Sequence, residues 1–136
     1  MNRPILVVDD DEVLRRILSR ILAQQGHTVL PAADAAQAVR LARERRPCLA
    51  LLDLCLPDRG GLELARQLRD ADPGLTLVLM TAYPLRLCEH PELADDFAHV
   101  WTKPLDLVEL RQAVEGVLAV DSDTRAGRPC YRRTIQ

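Results

Sequence analysis

The sequence has 136 residues, of which 48% are hydrophobic and 28% are charged, and its formal net charge at pH 7 is -2. This size suits one domain with its own hydrophobic core, and the composition is that of a globular protein rather than a disordered one. The net charge is too small to predict that the folded body binds nucleic acid or a membrane surface. No apolar run approaches the roughly 20 residues that cross a bilayer, and residues 1–4 lead into a predicted strand without a secretory signal. We therefore expect a cytoplasmic protein.

Five short apolar runs predict buried strands. They lie at residues 5–8, 27–30, 49–53, 75–80 and 97–101. Apolar residues at helical spacing follow each run, over residues 13–22, 34–45, 62–68 and 106–118, with a short or irregular helix expected within 84–96 between Pro84 and Pro91. Strands that alternate with helices predict an α/β domain with a parallel sheet, in which a ligand site lies at the carboxyl ends of the strands. From residue 121 onward no periodicity remains, which predicts a flexible tail or the start of a linker.

The cysteines give no sign of a disulfide framework. Cys48, Cys55, Cys88 and Cys130 form neither a C-x-x-C pair nor a regular spacing. This arrangement predicts reduced thiols in a reducing compartment.

The single lysine stands out in a chain whose other basic residues are all arginines. Lys103 directly precedes Pro104 at the end of the fifth predicted strand. An ammonium is more compact than a guanidinium, so the position suggests a site that requires a compact cation. Chance survival of one lysine is the alternative that composition alone leaves open.

Polar side chains follow four of the five predicted strands and would meet at one edge of the sheet. Their positions are Asp9, Asp10, Asp53, Thr81 and Lys103. Any one of these residues could have a purely structural role, but their convergence on one edge points to a functional site. Three neighbouring carboxylates repel one another unless a hard cation neutralises them, and Mg²⁺ is the usual cation for oxygen ligands.

This set of residues suits phosphoryl transfer. With a cation in place, Asp53 can stay ionised and act as a nucleophile towards phosphorus. The hydroxyl of Thr81 and the ammonium of Lys103 could hold the remaining phosphoryl oxygens. The expected product is an aspartyl phosphate.

Four stretches together carry a resemblance to a known family. They are ILVVDDD at 5–11, LDLCLP at 52–57 with GLEL at 61–64, LMTAY at 79–83, and TKPL at 102–105. In this order and spacing the chain resembles a two-component response-regulator receiver domain of the CheY-like superfamily. The resemblance implies a flavodoxin-like, doubly wound (βα)5 fold with a five-stranded parallel sheet in the order 2-1-3-4-5. It also implies a receiver domain over residues 1–120, with 121–136 as a tail or linker.

The resemblance assigns a role to each acidic residue. Asp53 is implied to be the phosphoacceptor, which takes its phosphoryl group from a sensor histidine kinase or a histidine phosphotransfer protein. Asp10 and Asp53 are implied to ligate Mg²⁺ together with the backbone carbonyl of Cys55. Asp9 is implied to act mainly through water.

The remaining site residues include one departure from the family pattern. Thr81 is implied to be the switch hydroxyl and Lys103 the phosphate-binding ammonium, with a cis peptide before Pro104. The family's aromatic switch residue lies three positions before the lysine, where this chain has Val100. Trp101 follows, but successive side chains of a strand face opposite ways, so it cannot replace that residue without a local distortion.

The implied function is a bacterial phosphorylation switch rather than an enzyme, with at most self-catalysed phosphorylation and dephosphorylation. Its implied partners are the kinase and an output protein, or an effector domain that this chain lacks, without direct binding to nucleic acid or membrane. A monomer, or a weak dimer through the predicted fourth helix, fifth strand and last helix, is expected. Two alternatives are a phosphorylation-independent module of the same fold and a phosphoryl-transfer enzyme with an aspartate nucleophile. The enzyme would need a second acid, for which the sequence offers no evident candidate.

Overall fold

The computed structural model describes residues 3–58, 60–82, 97–124 and 134–135, in which strands alternate with helices. The strands are β1 Ile5–Val8, β2 Val29–Ala32, β3 Leu49–Asp53, β4 Thr76–Thr81, β5 His99–Thr102 and β6 Thr134–Ile135. The helices are α1 Glu12–Gln24, α2 Ala35–Arg45, α3 Gly61–Ala71 and α4 Leu107–Thr124. The helix predicted within 84–96 lies outside the described residues. None of the helices in the described ranges is long and apolar enough to cross a membrane.

All strands run parallel in one sheet with the order β2-β1-β3-β4-β5-β6. The first five strands confirm the predicted α/β fold and the order 2-1-3-4-5. β6, two residues in the segment predicted to be a tail, pairs with β5, and α4 continues to Thr124. The domain limit at residue 120 stays a prediction.

The side chains of the central strands alternate between two apolar cores, one on each face of the sheet. Leu6 and Val8 pack with buried residues of α2 and α3. Ile5 and Val7 pack with buried residues of α1 and α4. Since β1 and β3 are buried on both faces, their sequences are continuous apolar runs rather than alternating ones.

The second strand differs from its prediction. It was expected at 27–30 but spans Val29–Ala32, and it therefore includes Pro31. β2 lies at the edge of the sheet and pairs only with β1. An edge strand tolerates proline because one side of its backbone needs no ladder hydrogen bond, so the proline does not end the strand.

A close backbone contact fixes the start of α3 beneath the end of β3. The Gly61 N–H donates to the carbonyl oxygen of Leu54 at 2.7 Å. A Cβ atom at Gly61 would overlap the carbonyl oxygen of Asp53 and lie 2.9 Å from the Cα atom of Leu54. Only glycine therefore fits here without moving the segment that carries Asp53.

We expect Gly61→Ala to lower the free energy of unfolding by about 1–3 kcal/mol, the usual cost of inserting a methyl group into packed structure. The matched control is Gly60→Ala, because a Cβ at Gly60 meets nothing within 4 Å. Gly60 has φ -72° and ψ 152°, which alanine adopts readily, so we expect a change within about 0.5 kcal/mol. Urea unfolding measures both values, and equal destabilisation of the two variants would contradict the close-contact explanation.

Candidate functional site

The site lies at the carboxyl edge of the sheet, where four neighbouring strands end. Asp9 directly follows β1, Asp53 ends β3, Thr81 ends β4 and Lys103 directly follows β5. The register places these strand ends together, and the Lys103 N–H donates to the carbonyl oxygen of Thr81 at 2.8 Å. The sheet therefore brings the predicted residues to one place, as their positions after the strands indicated.

An ammonium joins two of the carboxylates. The Nζ atom of Lys103 lies 2.7 Å from Oδ2 of Asp9 and 3.4 Å from Oδ2 of Asp53. Asp9 is fully buried and Asp53 is 7% exposed. A charge-assisted hydrogen bond in such a poorly hydrated position is stronger than a surface pair and holds the three groups in a fixed arrangement.

Asp9 also connects the site to the start of α1. Its Oδ1 atom accepts a hydrogen bond from the Asp11 N–H at 2.9 Å, and Asp11 caps the helix by accepting from the N–H groups of Val13 and Leu14. The Arg15 guanidinium donates to the backbone carbonyl of Asp9 at 2.8 Å. This contact of Arg15 could not be predicted from the sequence, because helical periodicity does not indicate which way a long side chain folds back.

Three carboxylates of the site lie close enough together to share a cation. Asp9, Asp10 and Asp53 each offer an oxygen, and these oxygens lie within 4.8 Å of one another. Asp10 is exposed, so a cation could reach the cluster from solvent. Carboxylate oxygens are the ligands that Mg²⁺ prefers, and the three negative charges exceed the single positive charge of Lys103. The residues present therefore fit a divalent cation.

Burial and neighbouring charges shift the pKa values of Asp53 and Lys103. Burial, followed by the neighbouring charge of Asp9, raises the pKa of Asp53, while Lys103 and the Cys55 N–H offset only part of this effect. The pKa of Lys103 is also raised: burial acts to lower it, but the hydrogen bond and charge of Asp9 and the charge of Asp53 outweigh burial. Lysine is thus firmly protonated, whereas ionised Asp53 carries an electrostatic cost in the metal-free protein.

The two other predicted residues flank Asp53. Thr81 is 1% exposed at the end of the neighbouring strand β4. Cys55 is exposed, and its N–H donates to Oδ1 of Asp53 at 3.4 Å. The predicted cis peptide between Lys103 and Pro104 is present.

The side chains of β5 show whether Trp101 could take the place of the aromatic switch residue that is missing at Val100. Val100 is buried in the core that contains residues of α2 and α3, whereas Trp101 is buried in the core beneath α1 and α4. β5 pairs with β4 in regular register through both residues. No local distortion therefore brings Trp101 to the face of the sheet that Val100 occupies.

Comparisons with known proteins identify the family. The family model for the response regulator receiver domain matches residues 5–115, so the chain belongs to the family of response-regulator receiver domains. Such domains are regulatory switches of two-component systems rather than enzymes in the usual sense.

Individual proteins share this similarity over different lengths. The chain is 32% identical over 124 residues to sporulation initiation phosphotransferase F of Bacillus subtilis, with 90% of this chain and 99% of that protein covered. It is 44% identical over 82 residues to the DNA-binding response regulator MtrA of Mycolicibacterium smegmatis, which covers 60% of this chain but only 36% of that protein. The response regulator TrrA of Thermotoga maritima, solved in complex with Mg(2+)-BeF, superposes with a TM-score of 0.76 at 26% identity, over 86% of this chain and 99% of that one.

We expect Asp53→Asn to raise the free energy of unfolding of the metal-free protein near pH 7. The folded-state pKa of Asp53 lies above its unfolded value, so ionised Asp53 favours the unfolded state and the neutral amide removes that cost. The stability of the wild type should fall as pH rises through the folded pKa. The two proteins should therefore converge as the pH falls below the ordinary aspartate pKa of about 3.9, because the carboxyl is then neutral in both the folded and the unfolded state.

Urea unfolding in EDTA at several pH values measures this difference. The control is Asp10→Asn, which replaces an exposed carboxylate of the same cluster and should change stability near pH 7 by no more than about 0.5 kcal/mol. A less stable Asp53→Asn protein at pH 7 would show that the ion pair with Lys103 outweighs burial.

Proposed function

We propose that this chain is a Mg²⁺-dependent phosphorylation switch in which Asp53 accepts a phosphoryl group from a sensor histidine kinase or a histidine phosphotransfer protein. The observation that carries the proposal is the geometry around Asp53. Lys103 lies 3.4 Å from its carboxylate, and two further carboxylates lie close enough to share a cation with it. A nucleophile, a fixed ammonium and a set of metal ligands thus occur together in one partly buried place.

The proposed transfer of the phosphoryl group uses Asp53, Lys103 and Thr81. An oxygen of Asp53 attacks phosphorus and forms a P–O bond while the P–N bond of the donor phosphohistidine breaks. The electron pair of that bond returns to the imidazole nitrogen, which then takes up a proton. Lys103 moves from pairing with carboxylates to binding a phosphoryl oxygen, and the hydroxyl of Thr81 binds another.

The acidic residues would hold the cation in the following way. Asp10 and Asp53 would ligate Mg²⁺ directly together with the backbone carbonyl of Cys55, and Asp9 would act mainly through water. Bound Mg²⁺ would neutralise charge that builds up on the phosphoryl oxygens and keep Asp53 ionised. The raised pKa of Asp53 in the metal-free protein supports this role, because a cation would remove the repulsion between Asp53 and Asp9.

Phosphorylation would then change the binding of partners. The hydroxyl of Thr81 would move to the phosphoryl group, and the equilibrium between two conformations would shift at the output face, to which β5, α4 and the helix predicted within 84–96 would contribute. Val100 lacks a ring that could rotate, so the signal would not pass through an aromatic switch at this position. Any phosphorylation or dephosphorylation of the domain by itself would be self-catalysed.

The partners follow from the family and from the relatives. We propose that the kinase or phosphotransfer protein docks beside Asp53 in the cytoplasm, and that the receiver acts alone on an output protein or as part of a longer regulator. The chain spans 36% of the length of MtrA, which suits the second arrangement, and 99% of the Bacillus protein, which suits the first. The receiver itself would bind neither nucleic acid nor membrane, and would be a monomer or a weak dimer through its output face.

One observation favours a second candidate function. Val100 takes the place of the aromatic switch residue, and Trp101 lies in the opposite core. A receiver that cannot use an aromatic switch could serve as a phosphorylation-independent interaction module. The intact set of Asp53, Thr81 and Lys103 favours the phosphorylated switch instead.

We expect the wild-type protein to gain one phosphoryl group when it is incubated with acetyl phosphate or phosphoramidate and Mg²⁺, and to gain none in EDTA. Asp53→Asn should abolish the adduct, because the amide is not a nucleophile for this reaction. Intact-mass spectrometry measures both results. The control is Asp70→Asn, which replaces an exposed carboxylate on α3 and should leave the adduct unchanged.

Two results would count against the switch. Persistent labelling of Asp53→Asn would move the phosphoacceptor to another residue. A folded wild type that binds Mg²⁺ but gains no phosphoryl group would favour the phosphorylation-independent module.

A further inference from the structure

The connection between β3 and α3 is closed by its own backbone. The Gly61 N–H donates to the carbonyl oxygen of Leu54, and Cys55 forms an antiparallel bridge with Gly60. These two contacts pair the two ends of the short loop that follows Asp53, and we call this paired region, Leu54–Cys55 with Gly60–Gly61, the neck of the loop. Its tip is held by a different contact.

That contact is made by Asp58, which reaches a separate helix. Its Oδ1 atom accepts from the Ala35 N–H at 2.9 Å and its Oδ2 atom accepts from the Ala36 N–H at 3.0 Å. Both N–H groups belong to the first turn of α2, where no helical carbonyl is available to them. A carboxylate in this position also interacts favourably with the helix dipole.

α2 has its own cap, so Asp58 is not needed merely to begin the helix. Asp34 accepts from the Gln37 N–H at 2.8 Å, and its backbone is extended as a capping residue requires. Asp58 therefore adds a link between two segments that are more than 20 residues apart in sequence. Asp58 thus links the loop that carries Cys55 to the start of α2.

The link acts on the side of the site where the cation would bind. Cys55 lies between Asp53, with which its N–H group is in contact at 3.4 Å, and the anchored Asp58. Cys55 is itself part of the neck through its bridge to Gly60, and the Asp58 anchor holds the same loop three residues further along the chain. The Asp58 anchor itself involves none of the proposed ligands, since it joins Asp58 to the N–H groups of Ala35 and Ala36.

We propose that Asp58 is a positioning residue, which holds the loop after β3 so that the Cys55 carbonyl and the Asp53 carboxylate are oriented for a divalent cation. This inference rests on the proposed function, since it concerns the same metal site. Groups that orient metal ligands without touching the metal typically change its affinity by 10- to 100-fold. Loss of the Asp58 anchor should weaken Mg²⁺ binding through the loop.

The test compares two caps of one helix. Asp58→Ala removes the cap that is tied to the loop, and Asp34→Ala removes the cap that belongs to α2 itself. Both variants should lose stability in urea unfolding, because each leaves helical N–H groups without a partner. Only Asp58→Ala should raise the Kd for Mg²⁺, by about tenfold, as measured by isothermal titration calorimetry; Asp34→Ala should stay within about twofold of the wild type.

A second measurement does not depend on metal. In the metal-free protein, amide hydrogen exchange at Gly61 should accelerate in Asp58→Ala and stay unchanged in Asp34→Ala, because only the first releases the loop. Asp58→Asn, which keeps one acceptor oxygen but no charge, should give intermediate values of both quantities. It also provides the test if Asp58→Ala does not fold.

The outcomes separate this inference from the proposed function. A wild type that binds no Mg²⁺ would overturn the proposed metal site and this inference with it. A wild type that binds Mg²⁺, with equal Kd values for the Asp58 and Asp34 variants, would overturn only the positioning role and leave Asp58 as a helix cap. Selective weakening in the Asp58 variants would establish it.

Discussion

The contact between the Lys103 ammonium and the carboxylates of Asp9 and Asp53 is the interaction on which the site depends. It exists because β1, β3 and β5 end at one edge of a parallel sheet, so that residues 94 positions apart in sequence meet at 2.7 Å. The same contact leaves a net negative charge at a partly buried place, since one ammonium faces three carboxylates. In the metal-free protein, burial first and the neighbouring charge of Asp9 second raise the pKa of Asp53. Under the proposed function, a bound cation would remove the electrostatic cost that burial imposes on ionised Asp53.

Two contacts hold the polypeptide chain after Asp53 in place. Gly61 allows α3 to begin directly against the carbonyl of Asp53, and Asp58 ties the intervening loop to α2. On the face of the sheet that α1 and α4 cover, Trp101 fills the apolar core. Under the proposed function, a phosphoryl group on Asp53 would therefore lie between the loop that Asp58 anchors and the ends of β4 and β5.

Much of this structure could be predicted from the sequence, and the remainder depends on contacts between distant segments. Apolar runs and polar residues after them placed Asp53 and Lys103 at strand ends, and the resemblance to receiver domains supplied the strand order, which local patterns do not contain. The shift of β2 through Pro31 was missed because proline usually ends a strand, and only the edge position explains the exception. The Asp58 anchor was missed because Pro57-Asp58 is ordinary turn sequence, and nothing local indicates that its carboxylate reaches α2.

The most direct test of the account is to locate the phosphoryl group itself. Borohydride reduces an aspartyl phosphate to homoserine, so protein treated with a small phosphodonor and Mg²⁺, then with borohydride, can be digested and sequenced by tandem mass spectrometry. The account predicts homoserine at position 53 alone, and none when Mg²⁺ is withheld. Homoserine at position 9 or 10, or at position 53 to the same extent without Mg²⁺, would contradict it.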